Sequence, residues 1–84
     1  MTNIEGRAIA AGRALLGLEQ LALANAAKIS ASTLSNVERA AVDSRKETVK
    51  SIRRALKKLG VSLHIDHTNG RILLASNFEV EEAV

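Results

Sequence analysis

The sequence contains no cysteine, no proline, no tryptophan and no tyrosine, and Phe78 is its one aromatic residue. Without cysteine there can be no disulfide and no thiolate-held zinc. Without proline, the chain must be punctuated by glycine, asparagine and serine. With a single aromatic side chain, the core has to be built from Leu, Ile, Val and Ala. Long apolar runs are missing too. No stretch approaches a membrane span and the N-terminus lacks a signal-peptide h-region, so no membrane association is expected and the expected compartment is the cytoplasm. The nucleophile, base and orienting group of an enzyme are not found together, and there is no glycine-rich phosphate loop. The chain is therefore expected not to be an enzyme and to need no cofactor.

The 84 residues suffice for one small domain with a thin core, for which dimerisation would add stability. The net charge of +3 is unevenly spread: residues 1–60 carry +6, whereas residues 61–84 set Arg71 against Asp66, Glu79, Glu81 and Glu82 for −3. A basic body with an acidic tail points to a polyanionic partner for the body.

Thr2 to Glu5 reads as a capping box, and Ile4, Ala8, Ala11 and Leu15 follow at helical spacing. A first helix is expected from about Asn3 to Leu16, stopped by Gly17. Gln20 to Ala27 forms a short second helix with Leu23 and Ala24 inward. Lys28, Ile29 and Ser30 make a break. Ser30 caps a third helix, Ala31 to Arg39, by accepting from the amide of Ser32 or Thr33. Leu34 and Val37 share one face of that helix; Ser32, Ser35 and Asn36 lie on the other. After a loop at Ala40 to Asp43, a second capping box at Ser44 to Glu47 starts a fourth helix. Val49, Ile52, Leu56 and Leu59 face inward along it, Lys50, Arg53, Arg54, Lys57 and Lys58 outward, and Gly60 ends it.

The period then changes from helical to alternating. Val61, Leu63 and Ile65 alternate with Ser62, His64 and Asp66, Asn69-Gly70 supplies a hairpin turn, and Arg71 to Ala75 is the return strand. An isolated hairpin is marginal in water, so it must pack on the helices or on another subunit. Its apolar residues Val61, Leu63, Ile65, Ile72 and Leu74 are the expected dimer interface. His64 and Asp66 share a strand face while His67 points away; two ligands are too few for a structural metal site, and none is expected. Residues 77–84 read as an acidic tail.

The run Leu18-Glu19-Gln20-Leu21-Ala22-Leu23-Ala24-Asn25-Ala26-Ala27-Lys28-Ile29-Ser30-Ala31-Ser32-Thr33-Leu34-Ser35-Asn36-Val37-Glu38-Arg39 resembles the Xre/Cro-type helix-turn-helix family of phage and bacterial repressors. The family pattern is approximately L-[ST]-Q-x-x-L-A-x-x-x-G-[VI]-S-x-x-x-[IL]-S-x-[IL]-E-x-G. It is met at Leu18, Gln20, Leu23, Ala24, Ile29, Ser30, Leu34, Ser35, Val37 and Glu38. Glu19 stands where a Ser or Thr cap is usual, and Lys28 and Ala40 stand where the family has glycine. The resemblance, which covers about residues 4–63, implies a mainly α, four-helix, lambda-repressor-like helix-turn-helix domain over residues 1–63; the C-terminal β-hairpin over residues 61–76 and the tail are read from the residues themselves.

The same resemblance implies a double-stranded DNA-binding transcription regulator. It would be a cytoplasmic homodimer, a repressor of mobile-element type, autoregulatory and bound to a pseudo-palindromic operator with the third helix in the major groove. Base readout then falls to Ala31, Ser32 and Asn36, with Asn36 suited to the paired donor and acceptor of adenine. Backbone contacts fall to Gln20, Lys28, Thr33, Arg39, Arg45 and Lys46. Arg13 and Glu38 would form an ion pair linking the first helix to the third. The alternative is a protein-binding module of antitoxin or antiactivator type on the same fold. Its hairpin or acidic tail would grip a partner protein, and an edge strand such as Arg71 to Ala75 would add to another chain.

Overall fold

Each change of sequence period marks a change of element in the computed structural model, which describes residues 4–39 and 46–76. Helices α1 (Ile4–Leu15), α2 (Gln20–Ala27), α3 (Ala31–Arg39) and α4 (Lys46–Leu59) precede strands β1 (Val61–Asp66) and β2 (Arg71–Ser76). The result is a compact, mainly α domain: four helices followed by a two-stranded antiparallel hairpin. Thr2, Ser44, Arg45 and the acidic tail lie outside the described residues.

The helix ends follow from local chemistry. At the end of α1, Gly17 adopts φ +68°, its N–H donates to the Ala14 carbonyl at 3.0 Å, and that of Leu18 reaches back to Arg13 at 3.1 Å. This pair of bonds satisfies the last carbonyls of a helix and needs a left-handed residue at the glycine position. Gly60, at φ +116°, lies between α4 and β1, and its N–H donates to the Lys57 carbonyl at 3.2 Å.

The core is built from the inner faces of all four helices and of β1, with α1 and α4 lying against the strand. Ile9, Leu23, Leu34, Ile52, Leu56 and Val61 are fully buried, each contributing about 1.5–3 kcal/mol of burial free energy. Two expectations from spacing are corrected. On α1 the buried residues are Gly6, Ala8, Ile9 and Gly12, whereas Leu15 is 45% exposed and Ile4 and Ala11 are half-buried. The helix is rotated so that Gly6, Ala8, Ile9 and Gly12, not Ile4, Ala11 and Leu15, meet its neighbours. On α4, Leu59 keeps helical period but is 42% exposed, although Leu56 before it and Val61 after it are fully buried.

The hairpin pairs Val61 with Ser76, Leu63 with Leu74 and Ile65 with Ile72 on one face, and Ser62 with Ala75, His64 with Leu73 and Asp66 with Arg71 on the other. The first face lies on the helices. Val61 and Leu63 are buried there, and Ile65 and Leu74 pack against the same core. This corrects the expected dimer interface at Val61 and Leu63. Val61 and Leu63 are enclosed within their own chain and cannot meet a partner. The apolar side chains left exposed are Ile72, at 39%, and Leu73, at 63%, on the outer strand.

The turn also departs from expectation. Gly70 is left-handed at φ +65°, but Asn69 is not. The connection spans residues 67–70, and the Asp66 carboxylate organises it. Oδ1 accepts from the amides of Thr68 at 3.0 Å and Asn69 at 3.2 Å, while Oδ2 accepts from the Asn69 side chain at 2.8 Å. These bonds, first that from the Asn69 side chain, hold the Asp66 pKa below the usual carboxyl value. Asn69 thus serves the turn through its amide group rather than through backbone permissiveness.

Candidate nucleic-acid interface

α2 and α3 are joined by a tight turn whose geometry is set at Lys28. Its φ of 60° and ψ of 42° are left-handed. The Lys28 N–H donates to the Asn25 carbonyl at 3.2 Å and the Ile29 N–H to Ala24 at 2.9 Å, the same closure that Gly17 gives α1. A non-glycine residue in this conformation costs about 1–2 kcal/mol. Lys28→Gly is therefore expected to raise stability by about 0.5–1 kcal/mol, the gain being reduced by the greater freedom of glycine in the unfolded chain. Thermal unfolding checks this: an unchanged or lower midpoint would show that the lysine is unstrained.

The ends of the two helices differ in quality. Glu19 precedes α2 without any side-chain capping bond, as expected for a carboxylate on too long a stem. Ser30 caps α3 well. Its Oγ accepts from the Thr33 amide at 3.0 Å and lies 2.8 Å from the Thr33 hydroxyl. Thr33 is thereby tied to the start of α3 and half-buried, which limits what its hydroxyl offers a phosphate.

α3 is held to the rest of the domain from its inner side. Arg13 donates from Nε to Glu38 Oε2 and from Nη2 to Oε1, both at 2.9 Å, and from Nη1 to the Leu18 carbonyl at 3.0 Å. Gln20 adds a bond from Nε2 to Glu38 Oε1 at 3.0 Å. The Glu38 side chain is only 6% exposed and that of Arg13 22%. The hydrogen bond to Glu38 raises the Arg13 pKa further, so the guanidinium is always charged. One carboxylate thus joins α1, the start of α2 and the end of α3. Gln20, assigned to phosphate, has one amide hydrogen committed to Glu38 and keeps the other.

With Leu34 and Val37 buried and Glu38 turned inward, the outward side of α3 carries Ser32, Ser35, Asn36 and Arg39. Ser32 and Arg39 are exposed; Ser35 and Asn36 are half-buried. Arg39 donates to Asn36 Oδ1 at 3.3 Å, so the expected base-reading and phosphate-binding groups touch each other. Ala31 packs partly against the core and presents only part of its methyl. Ser35 belongs to the same outward face, as its three-residue spacing from Ser32 already implied.

Lys28 and Lys46 are exposed, and Arg45 lies outside the described residues. On α4, Lys50, Arg53, Arg54, Lys57 and Lys58 are all exposed. Arg53 also donates from Nη2 to the Leu63 carbonyl at 2.7 Å, a tie between α4 and β1 that sequence reading placed among solvated charges. His64, Asp66 and His67 do not converge. Asp66 is engaged by the turn, His67 Nε2 lies 3.4 Å from Glu5 Oε1, and no group of three possible metal ligands occurs among the described residues. Among the described residues no helix is long and apolar enough to cross a membrane. Comparison with known proteins finds no matching family model, curated protein or solved structure.

Proposed function

We propose that this chain is a sequence-specific, double-stranded DNA-binding transcription regulator of the Xre/Cro helix-turn-helix type, acting as a repressor. The observation that carries the reading is the immobilised α3. Its inner side is fixed by the Arg13–Glu38–Gln20 cluster, and its outer side offers small polar groups and Arg39 with no outward carboxylate. Short side chains let a helix backbone approach the floor of the major groove, where Asn36 can pair with adenine N6 and N7. Arg39, Lys28 and Lys46 supply the sequence-independent attraction to phosphate.

Selection from random duplex DNA at near-physiological salt tests this reading. Enrichment of a pseudo-palindrome with half-sites about 34 Å apart is expected; a folded protein that enriches nothing would sink it. Within the selected site, Asn36→Ala should cost about 1–3 kcal/mol and relax preference at one position. Arg39→Ala should weaken all duplexes alike and flatten the salt dependence, together with a smaller loss at the Asn36 position because the two side chains touch. An Asn36→Ala protein with an unchanged sequence preference would show that readout lies elsewhere on α3.

A further inference from the structure

Asn69 and Gly70 close the hairpin, and the DNA-binding reading makes no use of them. The turn stands in water: His67, Thr68, Asn69 and Gly70 are all exposed. Gly70, at φ +65°, has open space where a β-carbon would stand, so nothing crowds its backbone. An asparagine followed by glycine carries a latent reaction. The backbone nitrogen of the next residue can attack the side-chain carbonyl carbon, and glycine presents that nitrogen with no β-carbon to obstruct it.

We infer that Asn69 is a site of spontaneous succinimide formation on this chain, and that Asp66 restrains the reaction by holding the Asn69 carboxamide. The inference goes beyond the DNA-binding reading and does not rest on it.

The chemistry needs only water. The Gly70 amide nitrogen gives its proton to solvent base and bonds to Asn69 Cγ. The Cγ–Nδ2 bond breaks, and Nδ2 takes a proton from water and leaves as ammonia. Water then opens the five-membered ring at either carbonyl. Opening at Cγ gives aspartate at position 69. Opening at the backbone carbonyl gives isoaspartate, in which the main chain runs through the side-chain carbon. Water is consumed and ammonia released, with no change of oxidation state.

Asp66 opposes ring closure. Its Oδ2 accepts from Asn69 Nδ2 at 2.8 Å and its Oδ1 from the Asn69 backbone amide at 3.2 Å. Both arms of Asn69 are thereby tied to a residue earlier in the chain, whereas attack needs the carboxamide turned forward to Gly70. The same bonds keep Asp66 ionised, and a charged acceptor makes the stronger hydrogen bond. Asn25 and Asn36 lack the latent reaction. They precede Ala26 and Val37 inside α2 and α3, where the attacking amide is committed to the helix.

The products bear on the hairpin. Aspartate or isoaspartate at position 69 has no donor in place of Nδ2 and sets a second carboxylate against Asp66. Isoaspartate also lengthens the main chain in the turn that fixes the register of Asp66 with Arg71. Either product is expected to loosen β2 from β1. Because Leu74 packs on the core, the midpoint of thermal unfolding should fall as conversion proceeds.

Peptide mapping by mass spectrometry, after prolonged incubation at mildly alkaline pH, tests the inference. It is applied to the folded chain, to the same chain in guanidinium chloride, and to variants. Conversion is expected at Asn69, slowly in the folded wild type and roughly tenfold faster in Asp66→Ala, the worth of one charge-assisted bond. Gly70→Ala should suppress it, since a β-carbon then stands beside the attacking nitrogen. Asp66→Asn keeps the shape of the side chain without its charge and should fall between wild type and Asp66→Ala. Hydrogen exchange at the β1–β2 amides shows which variants keep the hairpin. Where Asp66→Ala loses it, Asp66→Asn decides.

An Asn69 left intact both in guanidinium chloride and in Asp66→Ala would overturn the site. Conversion as fast in the folded wild type as in guanidinium chloride would overturn the restraint, as would an Asp66→Asn hairpin that converts at the wild-type rate. Conversion at Asn25 or Asn36 ahead of Asn69 in the folded chain would overturn the assignment altogether.

Discussion

Gly6→Ala is expected to destabilise the domain by about 3 kcal/mol, although alanine is the better helix former. Helix propensity alone would favour the alanine by about 0.5–1 kcal/mol. The surroundings reverse the sign. A β-carbon at position 6 would collide with the Val37 carbonyl oxygen and stand 2.9 Å from that of Glu38. Both belong to the backbone of the last turn of α3 and cannot swing aside as a side-chain tip would. α1 would have to withdraw, carrying with it Ala8 and Ile9, both fully buried, and stretching the Arg13–Glu38 fork. Each kcal/mol lowers the midpoint by about 4–8 °C in a domain of this size, so a fall of about 12–24 °C is expected.

Gly12→Ala is the control for Gly6→Ala. Its added carbon would meet side-chain atoms of Leu56, Leu63 and Val61, all at 3.4 Å, which can yield by a few tenths of an ångström. Its effect should stay near zero. Urea denaturation followed by circular dichroism compares the two. A Gly6→Ala protein as stable as the wild type would show that α1 and α3 do not cross as closely as described.

Gly6 also marks the boundary of what the sequence made legible. Element positions were readable because each rests on local chemistry: Gly17 and Gly60 stop helices, Ser30 starts one, and alternation at Val61 to Ile65 makes a strand. Arg13 and Glu38 were readable only through a resemblance, since nothing local joins residues so far apart in the chain. The core face of α1 was misread because two of its four buried residues, Gly6 and Gly12, are glycines that leave no hydrophobic signal beside Ala8 and Ile9. The hairpin alternation was visible, but which apolar residues face the helices is decided by docking. That is how Val61 and Leu63 came to be expected at a dimer surface. The tie from Arg53 to the Leu63 carbonyl had no sequence signature, because an arginine in a basic stripe looks the same whether it is solvated or bonded.

Glu38→Ala should cost about 2–4 kcal/mol and should weaken specific DNA binding beyond what the stability loss explains. The carboxylate is almost fully enclosed and accepts three hydrogen bonds, two from Arg13 and one from Gln20. Removing it leaves the Arg13 guanidinium with the Leu18 carbonyl as its remaining partner and frees the Gln20 amide. The lower part of the range is favoured because Arg13 is 22% exposed and can recover some hydration.

The fork also sets the direction of α3 relative to α1. Measured well below the midpoint, where the variant is folded, affinity for the selected operator should fall roughly tenfold, about 1.4 kcal/mol, with the salt slope unchanged. An unchanged slope is expected because the Glu38 side chain is enclosed by Arg13 and Gln20 on the inner side of α3, so in the proposed complex it would act by positioning Ser32, Ser35 and Asn36. The double variant Arg13→Leu/Glu38→Leu separates the two effects. Apolar replacement of an enclosed ion pair can restore stability, but it cannot restore the directional fork, so stability should recover more than affinity. If stability and affinity recover together, the cluster serves the fold alone and orients nothing.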